Sequence, residues 1–270
     1  MKRKILWLMY RKLRPAFGIP LAFVLMTGIF LNVLNTLLIM TALGFFFIDL
    51  FGNFYNDYWD FAEDVKNNRK DKFTTCGILS AKKVLCLSMI FASVGILFLL
   101  FTNMSLIFLG VFYTFLLFIY SHNRVRLKGK VVGYCIVSFP YFLLPIVISH
   151  TQEIPILNAL PLSLFFYFQC AYILCQKDST EMKEYDNLFT NKGWKKSSEI
   201  TIFFGICSST FLLFLCLLNP ILILVWLFNG FSKFLNLDNI RKRTITTHQR
   251  RRYVLMEFMT PYFYLVGGFL

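Results

Sequence analysis

Histidine is rare in this chain of 270 residues, and paired cysteine is absent. The chain has three His and seven Cys. No two cysteines are spaced as C-x-x-C, so neither a zinc site nor a disulfide framework is indicated. Most of the cysteines lie in apolar stretches, where cysteine behaves as a small apolar residue. The histidines, His122, His150 and His248, fall in separate predicted loops, which argues against a histidine metal site.

Acidic residues are also few, with 14 Asp and Glu against 28 Lys and Arg and a net charge of +14. A basic chain can bind nucleic acid, but no nucleic-acid-binding motif accompanies the basic runs at 241–243 and 250–252. Contact with anionic lipid headgroups is the simpler interpretation. We therefore expect a lipid bilayer as partner and no nucleic acid. The oligomeric state is not indicated.

Apolar residues are abundant: 57% of the chain is hydrophobic, 33 residues are Phe, and the mean hydropathy is +0.61. A soluble domain could not bury that much apolar surface. The sequence predicts an all-α fold, a polytopic membrane bundle of about nine transmembrane helices around a central cavity, forming a single domain over residues 1–270. The predicted spans are 17–33, 36–52, 84–101, 105–121, 131–149, 156–176, 200–217, 221–235 and 254–269.

The positions of Lys and Arg predict the orientation of these spans. With the N-terminus inside, the basic residues concentrate in the inside segments 1–16, 53–83, 122–130, 177–199 and 236–253. Lys233 is expected at the inner end of the eighth span. This bias is the signal that sets membrane orientation. We expect a multi-pass protein of a bacterial plasma membrane, with its N-terminus and its site on the cytoplasmic side. The basic start resembles an amphipathic lead-in and not a cleaved signal peptide.

A row of acids follows the second predicted span. On a helix, Asp57, Asp60 and Asp64 fall on one stripe with Asn53 one turn earlier, within an arc of roughly 60°. Three carboxylates on one stripe repel each other unless a cation lies between them. Such oxygen ligands suit Mg²⁺, which in turn suits phosphate oxygens. A solvated, charged helix end without a ligand is the alternative.

A second acidic group follows the sixth span, where Asp178 and Glu181 are spaced i, i+3. If it faced the first group, the two could form a two-metal site. Basic residues near both groups could complete a diphosphate site, and these are Lys66, Arg69, Lys70, Lys72 and Lys177.

The pattern Asn56-Asp57-x-x-Asp60-x-x-x-Asp64, with Asn53 upstream, resembles the signature of the UbiA-type intramembrane prenyltransferases. The resemblance extends over most of residues 10–200, and its weaker matches are Arg14-Pro15, Gly77-x-x-Ser80, Tyr120-Ser121, Arg126-Leu-Lys128 and Lys177-Asp178. Two departures are visible. Glu181 stands where the family usually has Asp, and Lys72-Phe73 stands where it has Arg-Pro.

The resemblance implies Mg²⁺-dependent transfer of a prenyl group from a polyprenyl diphosphate to a lipophilic or aromatic acceptor, such as a quinone precursor. The implied catalytic and metal-binding residues are Asp57, Asp60, Asp64, Asp178 and Glu181. The implied substrate-binding residues are Arg14, Asn53, Asn56, Lys72, Tyr120, Arg126, Lys128 and Lys177. Aromatic faces that could stabilise an allylic cation belong to Tyr55, Tyr58, Trp59 and Tyr120.

Two other function classes stay open at this point. An intramembrane acid cluster also suits a transporter, although both acidic groups are expected on one membrane face. An inactive, lipid-binding relative is the third class, because the second motif departs from the family pattern. Asp49 and Glu257 are the only acids inside predicted spans, and Asp49 could extend the polar stripe of Asn53.

Overall fold

The computed structural model describes residues 5–9, 20–69, 72–125, 127–180, 189, 192–218 and 223–241, and the regular structure in these residues is entirely helical. After a helical segment at 5–9, nine helices follow in chain order. They are α1 (Ala22–Phe30), α2 (Thr36–Trp59), α3 (Phe61–Lys66), α4 (Ala81–Leu100), α5 (Met104–Ser121), α6 (Val131–Thr151), α7 (Ile156–Thr180), α8 (Trp194–Leu218) and α9 (Ile223–Arg241).

Six of these helices are long and apolar enough to cross a membrane: α2, α4, α5, α6, α7 and α8. They correspond to six of the predicted spans. The second span was predicted too short, because α2 continues through Asn53 to Trp59. For the first predicted span only α1, with nine residues, is described. The eighth corresponds to α9, and the ninth lies outside the described residues.

The chain forms two compact units. The first contains residues 1–21 and 35–127, and the second contains residues 22–34 and 128–270. In the first unit, α2 packs along α4 and also contacts α5. Side chains of Asn35, Ser80 and Asn103 accept hydrogen bonds from the first turns of α2, α4 and α5. Such caps satisfy backbone donors that a helix start leaves open.

Small residues let α2 and α4 approach closely. A Cβ added to Gly95 would lie 2.9 Å from the carbonyl oxygen of Gly44 and 2.8 Å from Cγ1 of Ile48. On α5, a Cβ at Gly110 would lie 2.1 Å from Cδ1 of Leu99. Close backbone contact through glycine is typical of membrane helices, where van der Waals packing drives association. These contacts fix the position of α2, which carries the acidic stripe.

In the second unit, α7 packs against α6 and α8, and α9 packs against α8. The short helix α1 contacts α6 and α7, and its Phe23 makes aromatic contacts with both. Its ring stacks on Phe166 with a centroid distance of 4.0 Å and meets the edge of Tyr141 at 5.5 Å. This aromatic core includes no residue of the first acidic stripe.

A buried polar network joins three helices of the second unit. The Nζ atom of Lys233 donates to Ser208 Oγ at 2.8 Å and lies 5.3 Å from the ring centroid of Tyr172. Ser208 Oγ in turn donates to Oε1 of Gln169 at 2.6 Å. Only 2% of Lys233 is exposed. The prediction that Lys233 ends an inner helix is therefore wrong, because α9 continues to Arg241 and keeps this lysine in its middle.

Candidate active site

Three aspartates of the predicted stripe lie where α2 gives way to α3. Asp60 lies between the two helices, as the C-cap of α2 and the N-cap of α3, yet the helical hydrogen bonds continue across it. The amide of Asp60 donates to the carbonyl of Asn56 at 2.9 Å, and the amide of Asp64 donates to that of Asp60 at 2.8 Å. Helical spacing is thereby preserved, so Asp57, Asp60 and Asp64 share one face.

All three carboxylates are buried, with exposed fractions of 1% for Asp57, 7% for Asp60 and 0% for Asp64. A solvated helix end would leave such side chains in water. Burying an ionised carboxylate is costly unless a cation or hydrogen-bond donors compensate. The burial is therefore favoured by a cation close to the stripe.

Lys72 provides that cation. Its Nζ contacts Oδ1 of Asp57 and lies 4.0 Å from Oδ2 of Asp64. Burial by itself would lower the pKa of Lys72, but the charges of Asp57, Asp64 and Asp60 outweigh it and raise this pKa well above its ordinary value. The acids therefore favour the charged ammonium form of Lys72.

The loop between α3 and α4 positions this lysine. Phe73, the next residue, is 5% exposed and stacks on Phe54 of α2 with a centroid distance of 5.9 Å. Phe73 and Phe54 belong to one apolar cluster with Leu8 and Val84. Burial of Phe73 thus anchors the loop against α2. Lys72, the preceding residue, is thereby held close to the acids.

A second cation lies near the end of the stripe. Nε of Arg69 is 3.9 Å from Oδ1 of Asp64. Lys72 and Arg69 thus bring two cations of the same loop to the acidic stripe. Within the described parts of the chain, no three His, Cys, Asp or Glu side chains converge closely enough to hold a metal ion by themselves.

The two asparagines contact different acids. Nδ2 of Asn56 donates to Oδ2 of Asp60 at 2.7 Å, which places Asn56 in the acidic group. Nδ2 of Asn53 instead donates to Oδ2 of Asp49 at 3.0 Å. Asp49 also accepts from the hydroxyl of Tyr113 at 3.2 Å. The expectation that Asp49 could extend the polar stripe is thus supported.

Aromatic candidates beside the acids have packing partners. Tyr55, 2% exposed, stacks against Phe51 at 5.3 Å and Phe118 at 5.2 Å, which joins α2 to α5. The ring of Trp59 lies 4.6 Å from that of His122. Tyr58 contacts the edge of Trp59. A role of these rings toward an allylic cation stays a prediction.

The structure describes only some of the remaining predicted residues. Tyr120 lies in the last turn of α5 in the first unit, and Lys128 lies before α6 in the second unit. Lys177 and Asp178 belong to the last turns of α7, but their side chains are outside the described part. Arg14, Arg126 and Glu181 lie outside the described residues. A meeting of the two acidic groups stays a prediction.

One contribution to the site was not found from the sequence. Tyr113 bonds an acid 64 positions earlier, and no local motif marks such a distant partner. Lys72 was predicted as one of several bases near the acids, and the structure shows that it contacts Asp57.

The fold and site define a polytopic helical membrane protein with a buried acidic centre at the end of one span. A family model described as the UbiA prenyltransferase family matches residues 16–258. The chain therefore belongs to the UbiA prenyltransferase family. A search of curated proteins gives no match.

Solved structures of the same fold come from distant relatives. An apo UbiA homolog from Aeropyrum pernix K1 has a TM-score of 0.75 at 12% identity, covering 94% of this chain and 97% of that one. A UbiA homolog from Archaeoglobus fulgidus bound to GPP and Mg²⁺ has a TM-score of 0.68 at 11% identity, covering 97% and 99%. A structure described for digeranylgeranylglyceryl phosphate synthase has a TM-score of 0.66 at 16% identity, covering 99% and 98%.

The donor chemistry of the three aspartates suits the Mg²⁺ that the family implies. Carboxylate oxygens are the hard donors that Mg²⁺ prefers, and a cation, the ammonium of Lys72, already lies among them.

Proposed function

We propose that this protein transfers a prenyl group from a polyprenyl diphosphate to an aromatic acceptor or quinone precursor. The observation that carries the proposal is the set of three buried aspartates with Lys72 among them, at the end of a membrane span. Charged groups in such a position are costly and are retained for function. The Archaeoglobus homolog bound to GPP and Mg²⁺ supports the choice of donor and metal.

The acids would hold the metal. Asp57, Asp60 and Asp64 are the proposed ligands of one Mg²⁺, and Asp178 and Glu181 are the proposed ligands of a second. Bound Mg²⁺ would neutralise negative charge on the diphosphate as it leaves. Asn56 supports this set by donating to Asp60, which orients that carboxylate without adding charge.

The cations of the loop would bind the diphosphate. Lys72 stays charged because the acids raise its pKa, and Arg69 lies next to Asp64. Both can donate hydrogen bonds to phosphate oxygens while remaining close to the acids. Further phosphate contacts are proposed, from the family resemblance, for Arg14, Arg126, Lys128 and Lys177.

The reaction breaks the bond between the allylic carbon and the diphosphate oxygen, and the diphosphate keeps the electron pair. The allylic cation is then attacked by an electron-rich carbon of the acceptor. Apolar helices surround this chemistry, and exclusion of water prevents hydrolysis of the cation. Aromatic faces such as those of Tyr58 and Tyr120 are candidates for stabilising it.

Turnover by membranes or by purified protein tests the proposal. Geranyl diphosphate would be supplied with 4-hydroxybenzoate or dihydroxynaphthoate, with Mg²⁺ or with EDTA. Diphosphate release and prenylated product would be measured by mass spectrometry. We expect Mg²⁺-dependent product from wild type and none from Asp60→Asn. The control Glu63→Gln removes a charge from α3 off the acidic stripe and should retain turnover.

Other functions predict other results. A transporter or an inactive lipid-binding relative would release no diphosphate under any of these conditions. Wild-type turnover by the Asp60→Asn variant would remove Asp60 from the site. An inactive relative would also explain why Lys72 occupies the acidic group.

The proposed orientation places the acids at the cytoplasmic face, because the loops on that side carry the Lys and Arg. Cys76 lies in the loop that also carries Lys72 and is partly exposed. A membrane-impermeant maleimide should therefore label Cys76 in inside-out vesicles and spare it in intact cells. Labelling of Cys76 in intact cells would show that the orientation is the opposite of the one proposed.

A further inference from the structure

Asp49 is an acid that the proposed metal and diphosphate chemistry does not use. It lies within the membrane-spanning part of α2, eight residues before Asp57, which corresponds to about 12 Å along a helix. Eleven residues separate it from Asp60, so the two side chains point in directions that differ by roughly 20° around the helix. Asp49 therefore continues the acidic face into the apolar span.

Neutral donors hold this carboxylate from two sides. Nδ2 of Asn53 donates to Oδ2 of Asp49 at 3.0 Å and to its backbone carbonyl at 3.0 Å. The hydroxyl of Tyr113 donates to Oδ1 at 3.2 Å. Both carboxylate oxygens thus act as acceptors, which is the arrangement of an ionised carboxylate. An ionised acid at membrane depth is a functional group by default.

The supporting residues are themselves fixed. Tyr113 on α5 is 1% exposed, and its ring stacks against Phe45 with a centroid distance of 5.9 Å. Asn53 is one helical turn from Asp49 on the same helix. Asp49 is only half-buried. Its carboxylate is therefore oriented by rigid neighbours, and the residue is not fully buried.

Prenylation of a ring carbon has a step that the metal-binding acids do not serve. The new carbon–carbon bond leaves the ring carbon with both its hydrogen and the prenyl group. The ring then loses that hydrogen as a proton, and the electron pair of the C–H bond restores aromaticity. Lys72 and Arg69 are donors and cannot accept this proton. A base within the apolar part of the site would accept this proton.

We propose that Asp49 accepts the proton released when a hydroxyaromatic acceptor is prenylated at a ring C–H position, with Asn53 and Tyr113 as positioning residues. The proposal rests on the proposed prenyl transfer. It adds the base and commits to an acceptor that loses a ring proton. One carboxylate oxygen takes the proton, and the diphosphate leaves with the electron pair of the broken C–O bond.

An isotope effect on the acceptor tests this role. Wild type, Asp49→Asn, Asp49→Glu and Tyr113→Phe would each be given geranyl diphosphate, Mg²⁺ and 4-hydroxybenzoate, with hydrogen or deuterium at the ring positions next to the hydroxyl. A general base typically increases the rate by about 10²–10⁴-fold, so we expect Asp49→Asn to lower turnover by about 100-fold. The KM for geranyl diphosphate should stay unchanged.

Proton loss should limit the rate once the base is removed. Asp49→Asn should therefore show a primary deuterium isotope effect larger than that of wild type, and Asp49→Glu should recover part of the rate. Tyr113→Phe should lose less turnover than Asp49→Asn, because it removes only a hydrogen bond that positions Asp49. A merely structural role would slow the variant without any change in the isotope effect.

Several results would overturn the proposal. Asp49→Asn with wild-type turnover, or slowed with an unchanged isotope effect, removes Asp49 as the base while leaving prenyl transfer intact. The same conclusion holds if the unmodified protein prenylates only acceptors that lose no ring proton. Absence of Mg²⁺-dependent diphosphate release by wild type with every acceptor overturns the proposed function and this role together.

Discussion

Replacing Lys72 with methionine removes the ammonium from the acidic group while keeping a side chain of similar length. Lys72 Nζ lies 4.0 Å from Asp64 Oδ2, and two unit charges at that distance attract by about 4 kcal/mol at an effective dielectric constant of about 20. Removing one partner of a buried ion pair costs about 3–5 kcal/mol, since the other charge stays buried. We expect a loss of stability in this range without metal.

Magnesium should offset part of this loss, because a divalent cation can occupy the position that the ammonium leaves. A ligand present at 100 times its dissociation constant stabilises by about 2.7 kcal/mol. Thermal unfolding of the detergent-solubilised protein, followed by circular dichroism with EDTA or with Mg²⁺, measures both effects. The folded-state pKa of Lys72 is raised above its ordinary value of 10.5. Its contribution is therefore fully present at neutral pH and is lost only as the pH rises through the folded-state pKa.

Lys82→Met is the matched control, since Lys82 is exposed at the start of α4 and should tolerate the change. Equal unfolding temperatures for wild type and Lys72→Met in EDTA would refute the reasoning about the buried pair. If Mg²⁺ stabilised the variant no more than wild type, the acids would not be a cation site.

Two further substitutions test packing and the second polar network. Gly95→Ala should destabilise the folded protein by about 1–3 kcal/mol, as overpacking does, because the added Cβ would meet the backbone of α2. Gly230→Ala is the control, since a Cβ at that position meets open space. Equal unfolding temperatures of the two variants would contradict the close approach of α2 and α4. Ser208→Ala removes one hydrogen-bond partner from Lys233 and one from Gln169. It should cost about 1–3 kcal/mol in thermal unfolding, and an unchanged midpoint would mean that the network adds no stability.

Much of the acidic site could be predicted from the chain. The stripe of Asp57, Asp60 and Asp64 depends only on helical periodicity, which is a local property. The structure keeps that periodicity through the turn at Asp60. Hydropathy likewise predicted the six spans that the described residues contain, because apolar length is also a local property. Family membership followed from the same motif.

Contacts between distant residues could not be predicted in this way. The sequence offered several bases near the acids, and Lys72 is selected by the burial of Phe73 against Phe54.

What the sequence by itself determined is the order of apolar spans, the acidic face at the end of the second span and the family. Each of these follows from residues a few positions apart, whose geometry a helix dictates. Tertiary structure alone decided which cation neutralises the acids, that Tyr113 holds Asp49, and that Lys233 is buried among hydroxyls. These depend on how helices pack, and packing is set by side chains far apart in the chain.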